Sequence, residues 1–195
     1  LKQISCSGVY QRLAATATAE LSDGTQQSSE EFFKRVSFSS SNAGVADFTS
    51  APSFGSNDRG LVATQAGTTT ITGSFGGLSS SMVVTVENTQ VAISGLTIAN
   101  NIGSSGTLKG VADTSDNVKV TASFEDGTSI AVSTSGTDSS TWLSPSSLLE
   151  FSSAVQSAVV VSSEGVVSLK GNYHDEVELS VTGKCGSGTS ASRSI

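Results

Sequence analysis

Histidine occurs once in this 195-residue chain, cysteine twice, proline twice and tryptophan once, and charged residues make up only 14% of it. Each scarcity excludes something. A single imidazole, His174, sits directly against Asp175 and Glu176. Adjacent residues on a strand or turn point apart, so they do not form the oriented base-carboxylate pair of a hydrolytic triad, and no serine stands in a G-x-S-x-G elbow. His174 reads as part of a solvated turn. The ten Lys and Arg are scattered, with Lys34-Arg35 the one adjacent pair, against a formal net charge of −7. A phosphate backbone is bound by a basic stripe, so nucleic acid is not an expected partner. No run approaches the roughly 20 apolar residues that span a bilayer, so no membrane insertion of this segment is expected. No charged-then-apolar leader stands at Leu1, and the segment reads as a mature or excised piece of a longer protein.

Cys6 and Cys185 lie near opposite ends of the chain, without zinc spacing. They read as separate thiols or as bonds to neighbouring repeats; an intrachain bridge and, last, a catalytic thiol are the other readings. The short oxygen-rich run Asp113-Thr114-Ser115-Asp116-Asn117 offers Asp113, Asp116 and Asn117 as weak calcium candidates, because calcium takes several oxygen ligands, but EF-hand spacing is absent and a plain polar loop is the first reading. No other cofactor is expected.

What the chain has in abundance is serine and threonine, roughly a third of all residues, well above ordinary usage. Threonine suits strands, and uncharged hydroxyls solvate a sheet face without Lys and Glu. This composition points outside the cell. Alternation is clearest from Gly60 to Val86, where Thr69, Ile71, Gly73, Phe75 and then Met82, Val84, Val86 fall on every second position. Gly67 and Gly76-Gly77 supply the turns, which gives three short strands joined by two tight turns.

In chain order, Leu1 to Ser7 reads as a first strand and Ala15 to Leu21 as a second that ends in the turn Ser22-Asp23-Gly24-Thr25. Gln26 to Glu31 is a polar connection. Phe32 to Ser39 should cross the core, anchored by Phe38, and Val45 to Phe48 is a short strand. Thr49 to Arg59 is a loop, where Pro52 argues against a central strand. After Glu87 to Gln90, read as a linker, the pattern restarts: Val91 to Ile98, then Val118 to Phe124 ending in Glu125-Asp126-Gly127-Thr128, then Leu149 to Ser153, Val166-Val167 and Val177 to Val181. Ser144-Pro145 ahead of Leu148 reads as a brief N-capped helical turn. The expectation is all-β: two tandem sandwiches, residues 1–88 and 89–195, joined end to end. Phe38, Ile71, Phe75 and Val84 are the expected core of the first, and Val120, Phe124, Phe151, Leu179 and Val181 that of the second.

The DGT turn, FSSSNAGVADF, GLVATQAGTTTITGSFGG and the closing VVTV resemble the bacterial immunoglobulin-like domains of group 2. The resemblance covers the first domain and is weaker in the second, where Lys170-Gly171-Asn172-Tyr173 replaces the AGT turn and Ser133 to Ser147 is inserted. Phe38 stands where the family often has Trp, and the Thr49 to Arg59 loop is longer. The family occurs in surface adhesins of the intimin and invasin kind and in surface fibres, so the resemblance implies spacing and adhesion rather than catalysis. The implied partners are neighbouring immunoglobulin-like repeats or copies of the chain itself, with surface glycans or protein receptors beyond them, at an extracellular or cell-surface location. A carbohydrate-binding module is the alternative, although Trp142, Tyr10 and Tyr173 are too few and too scattered to make a ring platform. An accessory domain of a secreted hydrolase is another. The second domain has only Thr189 to Ile195 as a closing strand, so a following repeat or a neighbouring copy is expected to cover its open edge.

Overall fold

The structure, a computed structural model, describes residues 1–5, 7–48, 58–99, 102, 107–132, 143–184 and 188–195. Cys6, Cys185, Trp142 and most of the predicted loop at 49–57 lie outside the described residues. The chain is all-β, and it divides into two compact units, one built from most of residues 1–90 and the other from most of residues 91–195.

The first unit contains β1 (Lys2–Ile4), β2 (Arg12–Thr16), β3 (Ala19–Glu20), β4 (Gln26–Gln27), α1 (Glu30–Phe33), β5 (Ser37–Ser40), β6 (Ala46–Phe48), β7 (Asp58–Ala63), β8 (Gly67–Phe75) and β9 (Leu78–Val91). One sheet has the order β1-β9-β8-β5 and another β2-β7-β6, with β3-β4 as a separate hairpin. The core cluster takes Ile71, Val84 and Val86 from the first sheet and Ala46, Leu61 and Ala63 from the second. Two sheets that share one apolar layer make a sandwich.

The second unit contains β10 (Ile93–Ile98), β11 (Ser115–Asn117), β12 (Val120–Phe124), β13 (Ser129–Val132), α2 (Pro145–Leu148), β14 (Leu149–Ser153), β15 (Val159–Val161), β16 (Val166–Leu169), β17 (Glu178–Gly183) and β18 (Ser190–Ser194). Its sheets run β10-β12-β13, β11-β16-β15 and β14-β17-β18. Val120, Ala122 and Phe124 alternate inward on β12, and Leu179 and Val181 do so on β17.

The internal repeat is visible in the pairing. The order β5-β8-β9 in the first unit answers β14-β17-β18 in the second, and β2-β7-β6 answers β11-β16-β15. The two Asp-Gly-Thr turns match atom for atom. Gly24 and Gly127 both have φ 81°, a conformation glycine adopts without steric cost. Leu21 N–H donates to Thr25 O and Phe124 N–H to Thr128 O, each at 2.8 Å. In each turn the Asp carboxylate accepts both the backbone N–H and the hydroxyl of the Thr two residues on. That local side-chain bonding is why the third residue is Thr.

Several expectations are corrected. Phe32 and Phe33 lie on or beside a helical turn, not in a strand: Ser29 Oγ accepts Phe32 N–H at 3.3 Å, and Phe33 N–H bonds Ser29 O at 2.9 Å. A serine cap followed by two acidic residues is a helix-start signal that outweighs the aromatic run. Ala15 to Leu21 is divided between β2 and β3. The expected linker Glu87 to Gln90 is strand, because β9 continues to Val91. β18 takes the closing position of the second unit through five pairs, from Glu178↔Ser194 to Thr182↔Ser190. Short hydroxyl side chains fit a ladder whose bonds come from the backbone, so one large apolar residue is enough there.

Phe75 is 38% exposed, not core, while Ile71 on the same face is 3% exposed. The alternation holds, but the β8-β9 hairpin runs on past the opposing sheet. Phe38 and Phe151 are half-buried rather than fully buried. Ile71, Val84, Val120, Phe124, Leu179 and Val181 are buried as expected.

Candidate functional site

A polar knot closes one end of the first unit. Thr69 is 2% exposed, and its hydroxyl lies 2.8 Å from Ser40 Oγ and accepts the Asn42 N–H at 3.0 Å. Ser40 Oγ donates its single proton to Ala46 O at 2.6 Å, so Thr69 donates to Ser40. Ser41 Oγ accepts the Thr70 N–H at 2.9 Å. The Ser-Ser-Asn run therefore joins β5, β6 and β8 through hydroxyls whose protons are all spent, which is what makes burial of Thr69 affordable.

Beside it, the first unit opens a cleft of about 360 Å³ lined by Ala15 to Glu20, Phe32, Val36, Phe38, Ile71, Phe75 and the strand from Leu78 to Met82. Antiparallel pairing puts Phe75 opposite Leu78 and Ile71 opposite Met82, so all four share one face of the hairpin. The Phe32 ring meets the Phe75 ring edge to face at 5.0 Å. Phe33, Phe38 and Phe48 continue the aromatic packing, with centroids 5.3 and 5.2 Å apart. Leu78, Met82 and Val83 are 73%, 50% and 65% exposed. This concentration of exposed apolar side chains was not legible as a site, because in sequence it is the same alternation that marks the core.

The calcium candidates are placed in the second unit. Asp113, in a left-handed conformation at φ 68°, accepts Lys170 Nζ at 2.6 Å. That ammonium holds its carboxyl below the ordinary value, first through the hydrogen bond and then through its charge. Asp116 Oδ1 accepts the Asn117 N–H at 2.7 Å within β11. Among the described residues no three His, Cys, Asp or Glu come together as a metal-binding group. His174, Asp175 and Glu176 are exposed and line an open pocket of about 510 Å³ with Thr107 to Gly110 and Ile195.

Two other carboxylates are held locally. The hydroxyl and the backbone N–H of Thr25 keep the Asp23 carboxyl below its ordinary value. Ser146 and Ser144 do the same for Glu164. Ser144 Oγ donates to Glu164 Oε2 at 3.0 Å; Ser144 precedes α2 as expected but makes no side-chain cap bond to that helix.

No protein-family model matches the chain, and no curated protein matches it in sequence. Solved structures similar to it include surface layer protein SbsC domains 4-9, at 14% identity and a TM-score of 0.33 over 92% of this chain and 24% of that one. SbsC domains 4 and 5 are similar at 14% identity and a TM-score of 0.33, over 92% of this chain and 78% of that one. The C-terminal 282-residue fragment of intimin, solved in complex with the translocated intimin receptor's intimin-binding domain, is similar at 14% identity and a TM-score of 0.32 over 99% of this chain and 60% of that one. The chain thus spans 24% of the length of the larger SbsC chain and 60% of the intimin fragment.

Proposed function

We propose that this chain is a non-catalytic, tandem immunoglobulin-like repeat segment of an extracellular surface protein, acting by spacing and adhesion. The observation that carries the reading is the duplicated strand pairing, β5-β8-β9 with β2-β7-β6 and β14-β17-β18 with β11-β16-β15, each unit closing an Asp-Gly-Thr turn of the same geometry. Each copy has its own buried core, so repeats of this kind fold as units and add length in series. Side chains that chemistry would recruit are already engaged in structure: Asp23 and Asp126 in turns, Asp113 with Lys170. The strand faces carry hydroxyls rather than charge, which suits a wall or surface setting.

Its partners on this reading are neighbouring repeats or copies of itself, with glycan or protein receptors at the ends of such an array. The test is antibody raised against residues 1–195 and applied to intact and permeabilised source cells. Labelling of intact cells is expected, and labelling only after permeabilisation overturns the reading. A glycan array separates the alternative of a carbohydrate-binding module: sugar binding abolished by Phe75→Ala would move the assignment to the cleft beside Phe32.

A further inference from the structure

The duplicated pairing leaves one strand of the second unit without a counterpart among the described residues of the first. Asp23 and Asp126, in the two matching turns, lie 103 residues apart. That spacing carries β2 onto β11, β3 onto β12 and β4 onto β13. It carries Ile93–Ile98 of β10 to positions eleven to six residues ahead of Leu1. β1, which pairs with β9, is therefore not the counterpart of β10.

In the second unit β10 is the antiparallel neighbour of β12, from Ile93↔Phe124 to Ile98↔Val120, and it runs alongside β17 and β18 of the opposing sheet. Thr189 Oγ1 donates to Ile93 O at 3.3 Å. Under that cover Val120, Ala122 and Phe124 are 1%, 0% and 2% exposed. Their counterparts at the same spacing are Ala17 and Ala19, which are only half-buried, and Leu21, which is 44% exposed. The opposing sheet shows the same contrast. With Phe38-Ser39-Ser40 aligned on Phe151-Ser152-Ser153, Phe75 answers Gly183 and Leu78 answers Thr189. Gly183 is buried, whereas Phe75 and Leu78 are 38% and 73% exposed. The cleft of about 360 Å³ lies between these two surfaces, with Ala15 to Glu20 on one side and Phe75 and residues 78–82 on the other. It stands where β10 stands in the second unit.

We infer that this cleft is a strand-binding slot, filled by the segment of the protein that leads into Leu1, which lies there as a β-strand of β10's pattern, antiparallel to β3. Main-chain bonds hold such a strand and its alternate side chains fill the slot. The residues at the positions of Ile93 and Ile98, both buried in β10, are apolar. The first of them meets Leu78, an apolar side chain in place of the Thr189 hydroxyl. The occupant comes from its own chain because β10 does, and because the repeat spacing puts the equivalent residues there. β9 runs to Val91 and β10 begins at Ile93, so the closing strand of one unit passes directly into the slot strand of the next. Backbone direction names the groups that the strand would engage. Glu125 N–H donates to Ala92 O and Ala99 N–H to Lys119 O, while Phe124 N–H turns the other way, to Thr128 O. Thr121 and Ser123 therefore turn their backbone groups toward β10. Their counterparts are Thr18 and Glu20, and among the described residues no strand lies on that side of β3.

The proposal deepens the partner named above, a neighbouring repeat, and rests on that reading for what the strand belongs to. The experiment compares residues 1–195 with a chain in which residues 90–103 are repeated directly ahead of Leu1, which preserves the 103-residue spacing. Amide hydrogen exchange is read residue by residue, with Thr121 and Ser123 as the internal reference. The extension is expected to slow exchange at Thr18 and Glu20 and to raise the melting temperature of the first unit. An extension with Ile93→Asp and Ile98→Asp in the added copy alone is expected to do neither. If the extended chain fails to fold, a peptide of residues 90–99 added to residues 1–195 should slow the same two amides, and Leu78→Ser should raise the peptide concentration required. No slowing in either arrangement overturns the inference. Protection of Thr18 and Glu20 in the unextended chain also overturns it: present at every concentration, it assigns the slot to another segment of the chain, and appearing only as concentration rises, to a second copy. Antibody labelling of intact cells reads location independently, so each proposal can fail without the other.

Discussion

The Tyr10 hydroxyl donates to Asn88 Oδ1 at 2.6 Å, across 78 positions of sequence. Tyr10 is 8% exposed and belongs to the core cluster of the first unit, so its ring is buried while its hydroxyl reaches the late part of β9. This bond helps to make strand of a stretch whose composition alone reads as linker. Tyr10→Phe should cost about 0.5–1.5 kcal/mol by denaturant unfolding, the usual net value of such a bond. It should also raise hydrogen-exchange rates at Glu87 to Gln90 selectively. Unchanged exchange there would show that β1 pairing alone holds the strand.

Thr69→Val keeps the shape and removes the hydroxyl at the centre of the knot. It leaves the Asn42 N–H without its 3.0 Å acceptor and takes away the proton donated to Ser40. The Asn42 N–H keeps Ser40 Oγ at 3.3 Å, so the change should cost about 0.5–1.5 kcal/mol, the net value of a lost hydrogen bond. Thr72→Val, on the exposed side of the same strand, should change the unfolding midpoint far less. Equal effects would mean that the knot contributes no more than a surface hydroxyl pair.

Gly67 begins β8 with φ +152°, and a Cβ there would lie 2.7 Å from Val45 Cγ2. Gly67→Ala should therefore destabilise by more than about 1 kcal/mol, from backbone conformation and overlap together. Combining it with Val45→Ala separates the two contributions. If overlap dominates, the double variant loses less than the sum of the single changes, and thermal melts of the set decide it.

Asp23, Asp113 and Glu164 all have carboxyls held below their ordinary values, by Thr25, Lys170 and Ser146 respectively. A depressed folded-state pKa means that the unfolded chain takes up protons first as pH falls. These groups therefore contribute stability above their ordinary values of 3.8, 3.8 and 4.5, and lose it as pH drops through the lower folded values. Melting temperature should fall on acidification through that window. Asp113→Asn should flatten the fall in part, and high salt should weaken the Asp113 share because the pair is exposed. A pH profile identical to wild type in Asp113→Asn would assign the slope to the other carboxylates.

Buried and exposed apolar residues of the first unit should separate cleanly. Phe33 and Leu61, at 2% and 1% exposure, should each cost about 2–5 kcal/mol when changed to alanine. Leu78→Ser, at 73% exposure, should change monomer stability within about 0.5 kcal/mol. A large loss from Leu78→Ser in dilute solution would mean that the hairpin tip packs against the monomer more closely than its exposure indicates.

Local rules settled much of this fold before any contact was known. The alternation from Thr69 to Val86 set which residues face inward, because side chains on a strand alternate whatever the surroundings. The two Asp-Gly-Thr turns were equally legible, since glycine supplies the positive φ and the aspartate bonds two residues on. Other features depend on what lies across the molecule. Phe75 and Ile71 share a face, yet one is exposed and the other buried, because the opposing sheet reaches only one of them. Glu87 to Gln90 is polar enough for a linker, but β1 beside it and the Tyr10 hydroxyl draw it into a strand. Phe32 and Phe33 look like strand until the Ser29 cap turns the backbone. The cleft is tertiary in origin, since alternation fixes which way a side chain points but not whether another sheet is there to meet it.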